Sequence, residues 1–137
     1  MTTFSLKIVT PDGLQFDGQA EELIVRTTSG DIGIMAGHIN CVAPLGMGRA
    51  TIVTEGKKLY AACIGGILSV VNGEVKLVPT TFEWVDQIHK DRADRSEQKA
   101  KDILTNKNLS RMELELAEAK LKRALVRKSV ADMMLNR

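Results

Sequence analysis

All 11 glycines of this chain lie before residue 74, and no proline follows Pro79. Both residue types interrupt helices, so their confinement to one part of the chain limits what each part can become. The first part must be built from short elements joined by turns. The rest, from Asp86 onward, is free to form long helices. Charge changes sign at the same place. Residues 1–85 carry six Lys/Arg and eight Asp/Glu, whereas residues 86–137 carry thirteen and nine. A shift in period, composition and charge at one point marks a domain boundary, giving two domains, 1–85 and 86–137.

The first domain alternates with period 2. Phe4, Leu6 and Ile8 face one way and Ser5 and Lys7 the other, before a Pro11-Asp12-Gly13 turn. Leu14 and Phe16 form a short strand expected to end at Asp17-Gly18. Leu23, Val25 and Thr27 alternate again up to Ser29-Gly30, Ile32 and Ile34 flank Gly33, and Cys41 to Leu45 is another apolar run. Arg49 to Thr54 and Lys58 to Ile64 are joined at Glu55-Gly56. Ile67 to Val71 and Glu74 to Val78 are joined at Asn72-Gly73, a pair suited to the positive φ angles of a tight hairpin. Many short strands with frequent turns predict an antiparallel β-sandwich.

Two helices are predicted in the second domain, Asp86 to Leu104 and Ser110 to about Leu135. Asp91–Arg95, Glu97–Lys101 and Glu118–Lys122 place acid before base at i,i+4, the favourable order. Thr105-Asn106-Lys107-Asn108 is a polar turn, and Ser110 followed by Glu113 is a capping box. The second helix carries a stripe of Leu114, Ala117, Leu121, Ala124, Ala131 and Leu135, interrupted by Lys128. Alanine lets helices approach closely but buries little area. An antiparallel hairpin held this way is marginally stable against opening, which suits a switch. The fold class is therefore α+β.

Composition narrows the functional classes. Apolar residues make up 44% and charged residues 26%, as in an ordinary globular protein, and no apolar run approaches the roughly 20 residues of a membrane span. The start, Met1-Thr-Thr-Phe4, lacks a basic, apolar export signal. Cys41 and Cys63 sit in apolar surroundings and read as reduced core residues. His38 and Cys41 have the spacing of half a zinc site, but Cys63 and His89 supply no second close pair, so no metal is expected. Nor does a Cys–His pair come with an orienting third group. Gly30, Gly33 and Gly37 are not a phosphate loop, because no Gly-Lys-Ser/Thr follows. Near-neutral charge and a hairpin without aromatics beyond Trp84 at its start argue against nucleic acid.

Three motifs, in order, carry a resemblance: Gly30-Asp31-Ile32-Gly33-Ile34-Met35-Ala36-Gly37-His38, then Leu45-Gly46, then Gly65-Gly66-Ile67-Leu68-Ser69-Val70. With the helical hairpin after them, the chain resembles the epsilon subunit of the bacterial rotary ATP synthase from Leu6 to Met133. The resemblance implies a non-catalytic central-stalk subunit of a proton-translocating synthase. Its sandwich would couple gamma to the c-subunit ring, and its hairpin would extend toward the alpha/beta catalytic head to restrain ATP hydrolysis. Membrane association, on the cytoplasmic side, would come only through the complex. The rival reading is a stand-alone β-sandwich binding module that oligomerises through its helices.

The same resemblance assigns candidate sites. Asp31 and His38 match positions that face the c ring and gamma. Lys120, Lys122, Arg123, Arg127 and Lys128, with no acid among them, match a basic stretch that docks on an acidic segment of the beta subunit. As ordinary surface residues they would be a solvated helix face, with cations that suit the helix C-terminus. No cofactor is required. Some family members bind ATP through Ile-Asp-x-x-Arg-Ala and second-helix arginines. The matching residues here are Ile88, Arg92 and Ala93 with Arg123 and Arg127, but His89 stands where those members have aspartate. Imidazole offers no fixed carboxylate acceptor, and Asp91, about 200° further round a helix, would not replace it. ATP is expected to bind weakly or not at all.

Overall fold

A computed structural model describes residues 2–135, with side chains through Met133; the Leu135 side chain of the apolar stripe and residues 136–137 lie outside it. The chain divides into two compact units, residues 1–85 and 86–137.

The first unit has eight strands: β1 (Phe4–Thr10), β2 (Gly13–Ala20), β3 (Glu22–Thr27), β4 (Gly30–Ile34), β5 (Cys41–Pro44), β6 (Met47–Thr54), β7 (Lys57–Val71) and β8 (Glu74–Trp84). They hydrogen-bond in the order β2-β1-β8-β7-β6-β3-β4, with β5 also on β7. Asn72 and Gly73 have φ angles of 50° and 84°, as the tight β7–β8 hairpin requires.

Two strands are longer than the sequence pattern suggests. β2 continues through Gly18 to Ala20, held by β1 along its length, Phe4 pairing with Ala20. The two runs on either side of Gly65-Gly66 form one strand, β7. Its first half pairs with β6, up to Met47↔Ile64, and its second half pairs with β5, from Pro44↔Ile67. Core residues change parity across this point: Ala61 and Cys63 point inward before it, Leu68 and Val70 after it. β8 changes with it, from Val75 and Leu77 to Phe82. Period-2 strands keep one face, so the inversion marks a corner where the sheet folds over. Gly65 and Gly66 make the corner with φ of 67° and 101°.

The sheet therefore closes on a single core that includes Leu6, Ile8, Leu23, Val25, Ile34, Ile52, Leu68 and Leu77, all fully buried. Pairing is antiparallel except between β1 and β8, which run parallel with Leu6↔Val75 and Ile8↔Leu77 in register. No hairpin joins these two strands. Their orientation is set instead by aligning the buried residues of both on one face.

In the second unit a 3₁₀ turn (Val85–Gln87) precedes α1 (Lys90–Leu104), and α2 spans Arg111–Leu135. The first helix thus starts four residues later than its composition suggests. β8 continues to Trp84, which pairs with Ala61 and packs edge-on against Phe82, so the chain must first turn away. His89 is the N-cap, with extended backbone and no side-chain capping bond. α2 starts at its Ser110 cap, whose Oγ accepts the Glu113 N–H at 3.1 Å.

Candidate functional site

Three surfaces carry the candidate residues. On the sandwich, β3 and β4 are joined by a tight turn whose Thr27 hydroxyl donates to the Gly30 carbonyl at 2.7 Å. This turn sets Arg26 opposite Asp31, and the Arg26 Nε–H donates to Asp31 Oδ1 at 2.6 Å. The bond to Asp31 raises the Arg26 pKa further, so the guanidinium stays charged. Asp31 is thus half of an exposed ion pair whose other member, Arg26, was not singled out from the sequence. Cross-strand pairing around a tight turn was the signal available.

After β4 the chain makes a turn at Gly37 in which the His38 N–H donates to the Met35 carbonyl at 3.2 Å. The His38 ring is half-exposed, and its Nδ1 lies 2.8 Å from the Ile39 carbonyl, which can only accept; in the neutral ring Nε2 is then left as an acceptor. Met35, Ile39 and Val42 beside it are exposed. The loop therefore offers a polar imidazole among apolar side chains, a composition suited to a protein surface rather than to catalysis.

The basic stretch lies on α2, where its residues are not equivalent. Lys120 and Lys122 are exposed, Arg123 and Arg127 half-buried. Lys128 bonds across to α1, its Nζ 2.8 Å from Glu97 Oε2 and 3.4 Å from Asp94 Oδ1. Bonds from Lys101 and then Lys128 hold the Glu97 carboxyl below the usual range, and Glu97 followed by Asp94 raises the Lys128 pKa. The residue that interrupts the alanine stripe is thus an interhelical ion-pair donor. Glu97, midway between Ala93 and Ala100, was the sequence counterpart that went unread.

The Ile88–Ala93 segment splits. Ile88 and His89 precede α1, so the helical-rotation argument about Asp91 does not apply to this geometry. Ala93, within α1, is 4% exposed. An open recess of about 470 Å³ is lined by Ile88, His89, Lys90, Asp91, Arg92 and Arg95, all from one side of the hairpin. Arg123 and Arg127 do not line it. Of the five candidate nucleotide residues, Ile88 and Arg92 line this recess.

The thiols suit packing. Cys63 lies in the core, where burial pushes its pKa up to about 12, and Cys41 packs partly against that core. Such a thiol is protonated at neutral pH and a poor nucleophile.

The family model described as "ATP synthase, Delta/Epsilon chain, beta-sandwich domain" matches residues 3–85. The ATP synthase epsilon chain of Ruminococcus albus is 41% identical over 133 residues, covering 96% of this chain and 98% of its own. That of Shouchella clausii is 35% identical over 131 residues, covering 96% of both. The chain belongs to the ATP synthase epsilon-chain family. Solved structures share the fold. A chain of the Euglena gracilis mitochondrial ATP synthase, in a structure of OSCP, F1 and c-ring, superposes with a TM-score of 0.83 at 19% identity. It covers 94% of this chain and 81% of its own. A chain from the central stalk and c-ring of the Tetrahymena thermophila enzyme gives 0.66 at 11% identity, covering 93% and 95%. As an epsilon-family chain, this protein is a subunit of an enzyme complex. Among its described residues no helix is long and apolar enough to cross a membrane.

Proposed function

We propose that this chain is a non-catalytic central-stalk subunit of a rotary ATP synthase, linking gamma to the c-subunit ring and restraining ATP hydrolysis through its helical hairpin. The observation that carries the reading is identity of 35% and 41% to epsilon chains over 96% of this sequence. Under it, the loop with Met35, His38 and Ile39 meets the c ring, the apolar side chains giving up water while the imidazole hydrogen-bonds. Asp31 joins that contact as a member of the Arg26 pair. The basic side chains of α2 dock on an acidic segment of the catalytic head once the hairpin extends. Membrane association is through the complex, on the cytoplasmic side. ATP is not a strong ligand, because His89 offers no carboxylate, Ala93 is buried and the α1 recess lacks α2 arginines.

An affinity-tagged chain captured from detergent-solubilised membranes tests the assignment. Gamma, c and the alpha/beta head should be retained with it in stoichiometric amounts. Recovery of a soluble, self-associated chain without them would favour a stand-alone module.

A further inference from the structure

The face of α2 that meets α1 is rich in alanine, with a half-buried leucine, Leu121, among the small side chains. Lys128 reaches α1, and Ala124 and Ala131 flank it at helical spacing on the same face, with Ala117 one heptad earlier. On α1, Ala93 and Ala100 bracket Glu97 in the same way. All five alanines are nine-tenths or more buried. Apart from the half-buried Leu104 and Leu121, these positions each take only a methyl group out of water, so the seam buries little apolar surface. What lies in its middle is charge. The Glu97 side chain is 12% exposed and that of Lys128 31%, against 43% and 46% for the Lys90–Asp132 pair nearer the helix ends. The second Glu97 oxygen takes Lys101 Nζ at 2.8 Å, so both carboxylate oxygens are occupied.

Sheltered ions interact more strongly than exposed ones, and removing one partner leaves the other poorly solvated. We propose that Lys128, with Glu97 and Asp94, is an electrostatic latch that holds the hairpin closed and withholds Lys128 from acidic partners while it is closed. The acidic face of α1 thereby stands in for the acidic partner surface. Only the withholding step rests on the docking reading given above; the latch itself does not.

Amide hydrogen exchange on the full-length protein reads the latch without any partner. Glu97→Gln and Lys128→Gln should each speed exchange around Ala100 and Ala124 by roughly three- to tenfold, and the double variant no more than the worse single, as expected for a coupled pair. Raising salt from about 0.05 M to 0.5 M should loosen the parent but not the double variant. Additive single effects, or unchanged exchange, would overturn the latch. Within the assembled synthase, Glu97→Gln should strengthen the restraint on ATP hydrolysis, while Lys120→Glu with Lys122→Glu should weaken it and leave seam exchange alone. Restraint unmoved by the lysine reversals would sink the docking reading and withholding together, leaving the latch to its exchange data. Restraint unmoved by Glu97→Gln alone would sink withholding only.

Discussion

Gly66 occupies a position where no side chain fits. Its φ of 101° is one that L-residues rarely adopt, and a Cβ there would overlap the Val78 carbonyl oxygen and crowd Pro79 Cα, which lie on the strand across the corner. Gly66→Ala must therefore strain its own backbone and also push β8 away from β7. We expect a loss of about 3 kcal/mol or more, read from the urea midpoint of the full chain. Gly56→Ala is the control, with a φ of 74° but open space around the added carbon, and should cost only about 1 kcal/mol. Equal losses would show that φ strain alone, and not the corner, makes glycine necessary at Gly66. The sequence carried little of this signal, since Ala61 to Ile64 is apolar throughout and shows no parity until the core is known. A glycine pair also reads as the end of a strand, and only the hydrogen-bond register separates a break from a corner. Lys128 is similar. A charge in an alanine stripe looks like an interruption until Glu97 is placed across from it.

Elements with a strong local cause were legible from sequence. The Asn72-Gly73 hairpin and the Ser110 cap are each fixed by a few neighbouring residues, and both stand in the structure as read. The start of α1 was not, because helix propensity extends upstream to Asp86 while β8 pairing, a long-range effect, claims the chain through Trp84. The parallel β1–β8 pair depends on the whole core and has no local signature. The hairpin's stability has a pH signature that follows from the latch. Glu97, facing Lys101 on its own helix and Lys128 on the other, has a depressed folded pKa. It therefore stabilises the closed form above its unfolded value, roughly 4.3, and the effect fades as pH falls through the lower folded value. Lys128, facing Glu97 and Asp94, has a raised folded pKa. Its contribution is complete below its unfolded value, about 10.4, and is lost as pH rises through the folded one. Hairpin protection, read by exchange corrected for the intrinsic pH dependence, should thus be flat between these limits and fall beyond both. In Glu97→Gln the acid-side fall should shrink. An acid limb of the same size in that variant would assign it to other carboxylates.

At the scale of the molecule, the sandwich has a core, turns and charge balance of its own, drawn entirely from residues before 86. A fragment ending after Val85 should therefore fold cooperatively; under the function proposed above it should also still bind gamma and lose the restraint on ATP hydrolysis assigned there to the hairpin. The position of the cut matters. Ending the chain at Phe82 removes Glu83 and Trp84, whose backbones pair with Ala62 and Ala61, and takes away the indole lying 4.9 Å from the Phe82 ring. The shorter fragment should be less stable than the longer one by about 1–2 kcal/mol, on the scale of one lost aromatic contact and its strand end. Chemical denaturation of the two fragments measures that difference, and reconstitution of each with gamma and the catalytic head measures the rest. A fragment 1–85 that is unfolded would mean the sandwich needs the hairpin to stand. A folded fragment that binds gamma yet restrains hydrolysis as strongly as the full chain would move the brake out of the helices, and with it the functional meaning of the Lys128 latch.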